Sequence, residues 1–148
     1  MMAYKRLYHE IFEEFEEAKT RQEKVDVLKK HSDHWFVTFL NYAFNPDVKF
    51  DFDTIPNYKP AVEPAGLNWS TLHLEMRKLY LFIPSSPKYA GKLPERKHTN
   101  LLLEILESVH AKEAKLLEQV LLKKMKVKGL TDKIVKEAFP ELPFEPKP

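Results

Sequence analysis

An all-α fold, one bundle of six to seven helices with a long proline-rich central loop, is what this sequence predicts, on three observations. Apolar residues recur at spacings of three and four through most of the chain, the period of an amphipathic helix. Only 3 glycines stand against 11 prolines, too few for the tight hairpins of a sheet protein or for phosphate-cradling loops. A content of 43% hydrophobic and 31% charged residues suits helices with well-solvated outer faces. At 148 residues the chain fits one domain, placed at 1–142 with an extended tail at 143–148.

The elements follow in order. From Tyr4 to Lys19, Leu7, Ile11, Phe15 and Ala18 form a stripe at spacings of four, four and three, with Glu10, Glu13, Glu14, Glu16 and Glu17 mostly turned to water. Thr20 and Glu23 read as a capping box that starts a second helix through Val25 and Leu28. Ser32 or Asp33 caps a third, carrying Trp35, Phe36, Phe39, Leu40 and Ala43, and Asn45-Pro46 closes it. Between Asp47 and Gly66 the helical period fails. Val48, Phe50 and Phe52 alternate briefly, but Pro56, Pro60 and Pro64 remove amide donors, so an ordered loop is preferred to a strand. A loop that long is often functional.

Asn68 or Ser70 is expected to cap the next helix, with Leu72, Met76, Leu79 and Ile83 on one face, and Pro84 to Lys92 to form a further loop. Pro94 suits a first helical position and opens a helix through Leu101, Leu102, Ile105 and Val109. Another runs from about Ala111 through Leu116, Leu117, Val120 and Leu121. After Gly129, Thr131 caps a last short helix with Ile134, Val135, Ala138 and Phe139, which Pro140 ends. Trp35, Trp69, Phe36, Phe39 and Phe82 are read as core, whereas Tyr58 and Tyr89, in loops beside lysines, are possible contacts for a base or sugar.

Most catalytic chemistry finds no footing. There is no cysteine, which removes thiolate metal sites and nucleophiles and points to a reducing compartment. No secretory signal or membrane span is read, so a cytoplasmic protein is expected. Glycine-rich nucleotide loops are missing, and no cofactor is expected. His31, Asp33 and His34 sit at helical spacing but read as polar residues around a helix start. Ser85 and Ser86 have no partner histidine and acid in a recognisable motif. Asp51 and Asp53 form an Asp-x-Asp in the long loop; a metal-dependent enzyme built on them is one rival reading, solvated loop residues the plainer one.

The net charge is only +2, but its distribution is uneven: an acidic first helix and a basic run KKMKVKGLTDKIVK near the other end. Lys123, Lys124, Lys126, Lys128 and Lys133 surround Gly129, where one helix ends and the next begins. Helix-start amides, ammonium groups and a glycine that permits close approach favour a phosphate. The alternative is a lysine-rich helix terminus complementing its own dipole.

The run from Leu121-Leu122-Lys123-Lys124 through Val127-Lys128-Gly129 and Thr131–Ala138 to Phe139-Pro140-Glu141-Leu142 resembles the end of the helical DNA-binding domain at the amino terminus of ATP-dependent DNA ligases, particularly those of tailed phages. The segment AKTRQEKVDVLKKH is similar to an early part of those domains, and the whole layout also looks like a family of short proteins of large tailed phages. In the ligase domains the basic turn contacts duplex phosphates, largely across the minor groove. The resemblance therefore implies Lys126, Lys128, Gly129, Thr131 and Lys133 as contacts, although the ligase turn usually has its glycine one residue earlier. Nick sealing is not implied, because the sequence has no Lys-x-Asp-Gly and ends where the nucleotidyltransferase domain would begin.

The expected function is non-catalytic, non-specific binding of duplex DNA through Lys123, Lys124, Lys126, Lys128, Gly129, Thr131 and Lys133. Lys59, Arg96 and Lys97, with Lys88 and Lys92, are expected to share the same surface. The other rival is a protein-interaction module that docks its acidic first helix or its Pro-Phe tail on a host or phage replication or transcription protein.

Overall fold

Seven α-helices and no strand make up the computed structural model, which describes residues 6–84 and 94–144. Their starts are set by local caps. Asp33 accepts the Phe36 amide at 2.9 Å to open α3 (His34–Phe44), and Thr131 accepts that of Ile134 at 3.3 Å to open α7 (Asp132–Ala138). At α2 (Arg21–Lys30), Thr20 takes the Glu23 amide at 3.1 Å, but Glu23 reaches back to the amide of Lys19 at 3.2 Å rather than to that of Thr20. Each such cap contributes about 1 kcal/mol.

Three boundaries differ from expectation. The first helix, α1 (Tyr8–Glu17), starts four residues later than Tyr4, because the amides of Leu7 and Tyr8 are taken by Glu10 (2.8 Å) and Glu113 (3.2 Å). Thr71, not Asn68 or Ser70, caps α4 (Leu72–Glu75), since the Ser70 amide is bonded to the carbonyl of Ser108 at 2.8 Å. After one α-turn the backbone tightens into a 3₁₀ helix, Met76–Phe82, and the two together still bury Leu72, Met76 and Leu79. Pro94 stands just before α5 (Glu95–Ser108) rather than inside it.

Only Val109 and His110 separate α5 from α6 (Ala111–Leu121), so the two fold back as an antiparallel hairpin. Residues 48–70 hold neither helix nor strand and strap this hairpin from its open end to its closed end. At the open end Asp51 meets His98 at 3.1 Å, Phe52 stacks on the His98 ring at 4.9 Å, and Lys49 and Asp53 lie beside Leu121 and Leu122. Farther along, Tyr58 donates to Glu118, the Lys59 amide bonds Glu107 at 2.8 Å, and Ser70 reaches Ser108. Around the hairpin α1 lies along α6, α2 bridges α1 and α7, and α3 covers α6 and the 3₁₀ helix. Phe12, Phe15, Phe36, Phe39, Phe82, Leu102 and Leu117 form the sealed centre.

Two expectations about the periphery are corrected. Trp69 is not core: it is 92% exposed, because Ser70 and Thr71 anchor the strap and leave the indole pointing outward. The packed unit also reaches past residue 142, since Phe144 is buried under the Lys136 ammonium, 5.7 Å from its ring centroid, and Lys136 also bonds the carbonyl of Leu142. Among the described residues no helix is long and apolar enough to cross a membrane.

The closed end of the hairpin is fixed by a fully buried carboxylate. Glu113, in the first turn of α6, accepts the first amide of α1 through one oxygen and that of α4 (Leu72, 3.1 Å) through the other. Burial outweighs those two bonds and pushes its carboxyl up to about 7. The native state therefore holds a proton more tightly than the unfolded chain, so this contribution is present below about pH 4.5 and is lost as pH rises through 7. Urea unfolding should show the parent losing stability between pH 5 and 8 relative to Glu113→Gln, which lacks that titration. Glu113→Ala strands two buried amides and should cost about 2–6 kcal/mol at either pH.

Candidate nucleic-acid interface

The basic run divides where it leaves α6. Leu122 ends the helix and Lys123 takes the left-handed conformation at φ 56°, the place usually held by glycine. Its ammonium turns inward and donates to the carbonyls of Tyr42 and Asn45 (2.9 Å to the latter), so it neutralises the carboxyl end of α3. Desolvation there pushes the Lys123 amine down to about 8. Lys123 is thus a structural cation holding α3 to α6, with its ammonium committed to those carbonyls although the residue also lines the clefts that Lys124 lines.

Its neighbours separate to different sides. Lys124 is exposed and lines a cleft of about 460 Å³ with Lys49, Phe44, Pro46, Met125 and Asp132. Lys126 faces another cleft, beside Glu13, Glu16 and Lys112, where the acidic face of α1 opposes its charge. Gln119 accepts the Lys126 amide at 3.0 Å, while half-buried Met125 and Val127 pin the turn to the core. Lys128 and Lys133 are exposed.

The expected helix-start site around Gly129 and Thr131 is already occupied by the chain itself. Thr131 accepts the Ile134 amide, and Asp132 accepts that of Lys133 at 2.9 Å. Gly129, at φ 83°, faces Lys24: a Cβ there would sit 3.4 Å from the Lys24 Cε. Lys24 in turn donates to the Phe15 carbonyl at 3.0 Å. The glycine is needed for the positive φ of the turn; a side chain there would meet Lys24 only at ordinary contact distance.

What the hairpin does assemble is a basic open end. Phe52 stacks on His98 of the first turn of α5, where Arg96 and Lys97 are exposed, and also lines a cleft with Leu121, Leu122 and Lys124, so the strap links the start of α5 to the end of α6. The Asp51–His98 contact fastens the strap there and presents Lys49. Sequence reasoning missed Lys49: a single lysine in a short alternating stretch carries no signal until the loop's partner is known. Lys59 is exposed but lies farther along the strap, its amide on Glu107. Tyr58 spends its hydroxyl on Glu118 rather than facing a base. Tyr89, Lys88, Lys92, Ser85 and Ser86 fall outside the described residues.

The residues weighed for metal chemistry have other partners. His31 meets Glu14 at 2.9 Å, Asp33 caps α3, and His34 is edge-on to Trp35. Asp51 is engaged with His98, and Asp53 is exposed beside Lys124. Among the described residues no three histidine, aspartate or glutamate side chains are grouped to hold a metal ion.

Residues 11–127 match the model of a family of unknown function, DUF6433. No curated protein matches the chain.

The internal role of Lys123 makes a contrast with its neighbour. Lys123→Ala should lower stability by about 1–3 kcal/mol through two stranded carbonyls, whereas Lys124→Ala should leave it within about 0.5 kcal/mol of the parent, both read by urea denaturation.

Proposed function

The chain belongs to the DUF6433 family, whose function is unknown, and from its surface we propose that it is a non-catalytic module that binds duplex DNA through phosphates. The observation that carries this reading is that exposed Lys49 and Lys124 line the same clefts, while Asp51 meets His98 at 3.1 Å and so ties the first turn of α5, with exposed Arg96 and Lys97, to the same stretch of the strap. Lys128 and Lys133, exposed around the following turn, extend the same polarity. Ammonium and guanidinium groups carried at helix ends suit contacts that position a duplex without reading its sequence. The likeness of the carboxy-terminal run to ligase DNA-binding domains supports the same class of ligand. The contact set differs from the one expected: of the residues that likeness implied, Gly129 and Thr131 are given to the turn and the cap and Lys126 is opposed by acids, while Lys123 of the wider basic run turns inward and Lys49 enters.

A protein-docking role draws on a different feature, the exposed Trp69 toward the other end of the hairpin, and does not compete for these residues. Cytoplasmic DNA of a host cell is the setting the reading implies.

Neutralising four to six phosphates predicts a log–log slope of affinity against salt of about −4 to −5. Fluorescence anisotropy with a labelled 20-base-pair duplex measures it. Lys49→Glu, Lys97→Glu and Lys124→Glu together should weaken binding more than about 100-fold and flatten the slope by about 3, with helicity unchanged. Parent-like binding by that variant, or salt-independent binding by the parent, would remove the assignment.

A further inference from the structure

Two imidazoles are stacked at the closed end of the hairpin. His9, in the first turn of α1, lies 4.4 Å from His110, centroid to centroid, with the ring planes 17° apart. His9 is 8% exposed, and its Nδ1, sealed from solvent, has no hydrogen-bond partner among the described residues. His110 is the N-cap of α6. Its Nδ1 accepts the Lys112 amide at 3.0 Å, so the neutral ring carries its proton on Nε2. Serine, threonine, aspartate and asparagine usually hold that place, and none of them loses its acceptor near neutral pH.

Both arrangements require uncharged rings. An imidazolium has no lone pair left, so a proton on His110 ends the cap bond and sets a positive charge at the positive end of α6. A charged His9 must bury an N–H at Nδ1 that finds no acceptor, and two charges in the stack repel at ring-contact distance. Burial first, and then the His110 ring, hold the His9 imidazole below its ordinary 6.5, although Glu13 and Glu10 pull the other way.

The surrounding charges have partners of their own. On α1, Glu10 takes the Leu7 amide and Glu13 pairs with Lys112 of α6 at 3.1 Å. Glu113 gives its two oxygens to the Tyr8 and Leu72 amides. Toward α2, Glu14 pairs with Lys30 and His31; toward α3 and α4, Asp33 stands 3.8 Å from His73. Exposed Glu16 lines the adjoining cleft together with Lys126. An imidazolium at either ring competes with these partners for a counter-charge.

We infer that the His9–His110 stack is an acid-sensitive catch between α1 and α6: protonation of the pair undoes the α6 cap and loosens the first turn of α1. Phe12, Phe15 and Leu117, sealed in the core, confine the opening to the two helix starts. The unfolded chain takes a proton on His9 more readily than the folded one. The contribution of the stack is therefore full above about pH 6.5 and is lost as pH falls below it. Glu113 titrates in the opposite sense, so global stability partly masks the change and a local measurement is needed.

Native-state amide exchange of the full chain, without DNA and corrected for the intrinsic rate, compares pH 7 with pH 5. The amides of Ile11, Lys112 and Ala114, bonded to the Leu7 carbonyl, the His110 ring and the His110 carbonyl, should lose protection by at least about tenfold at pH 5. Those of Val135 and Phe139 in α7 should change by less than about threefold. His9→Gln with His110→Asn keeps a polar group and a capping oxygen but cannot titrate, and should hold all five amides within about threefold. His110→Asn alone should do the same for Lys112 and Ala114. Protection in the parent that does not depend on pH overturns the catch whether or not the variants fold. So does an equal fall in α7, or the parent's fall reproduced in the double variant.

Discussion

One carboxylate with no exposure to solvent ties the starts of two helices to the first turn of a third. Glu113 belongs to the first turn of α6 and takes the leading amides of α1 and α4, so three positively polarised helix ends meet around it. A carboxylate in that position loses its hydration, and the two directed N–H groups offset that loss only in part, which is why its carboxyl is pushed up to about 7. The consequence is geometric. With α4 and α1 tied to the start of α6, the strap that precedes α4 must finish at the closed end of the hairpin. Its other end, fastened by Asp51 and His98, is then left beside the lysines that follow α6. At 1.5 Å per residue the 11 residues of α6 hold the two ends about 16 Å apart.

The surface polarity follows from that spacing and not from net charge. Lysines adjacent in sequence take unrelated roles: Lys123 closes α3, Lys124 faces water, Lys126 stands before the glutamates of α1, and Lys136 holds the carboxy-terminal segment. The acidic helix is spent in the same way. Glu10 caps its own helix, Glu13 meets Lys112 at 3.1 Å, and Glu14 meets Lys30 at 2.8 Å. These pairs are mostly exposed and stabilise little individually, but they leave less free acid on α1 than its composition suggests. A charge run is a count of ions; which of them a polyanion meets depends on where the helices cross.

Features encoded within one turn of chain were legible in the sequence. The helical periods, the caps Thr20, Asp33 and Thr131, and the buried faces around Phe36, Phe39 and Leu117 all depend on residues three or four apart. What depends on distant partners was not. Glu113 reads as one more glutamate on a helix, because its amides come from residues 105 and 41 positions away. Trp69 reads as core because large aromatics usually are, and only the Ser70–Ser108 bond turns it outward. Lys123 was legible as a cation but not as an inward one, since the backbone reversal that aims it occurs at a residue that rarely adopts positive φ. The candidate site was accordingly half visible: Arg96, Lys97 and Lys124 were named, Lys49 was not.

The central claim is that the ligand meets the open end of the hairpin. The most direct measurement is the map of backbone amide shifts by nuclear magnetic resonance as a short duplex is titrated in. Perturbations gathered at residues 49–53, 96–98 and 122–133, with 62–74 and the first turn of α6 unmoved, are the predicted result. Shifts centred on Trp69, or spread evenly over every lysine-bearing helix, would contradict it.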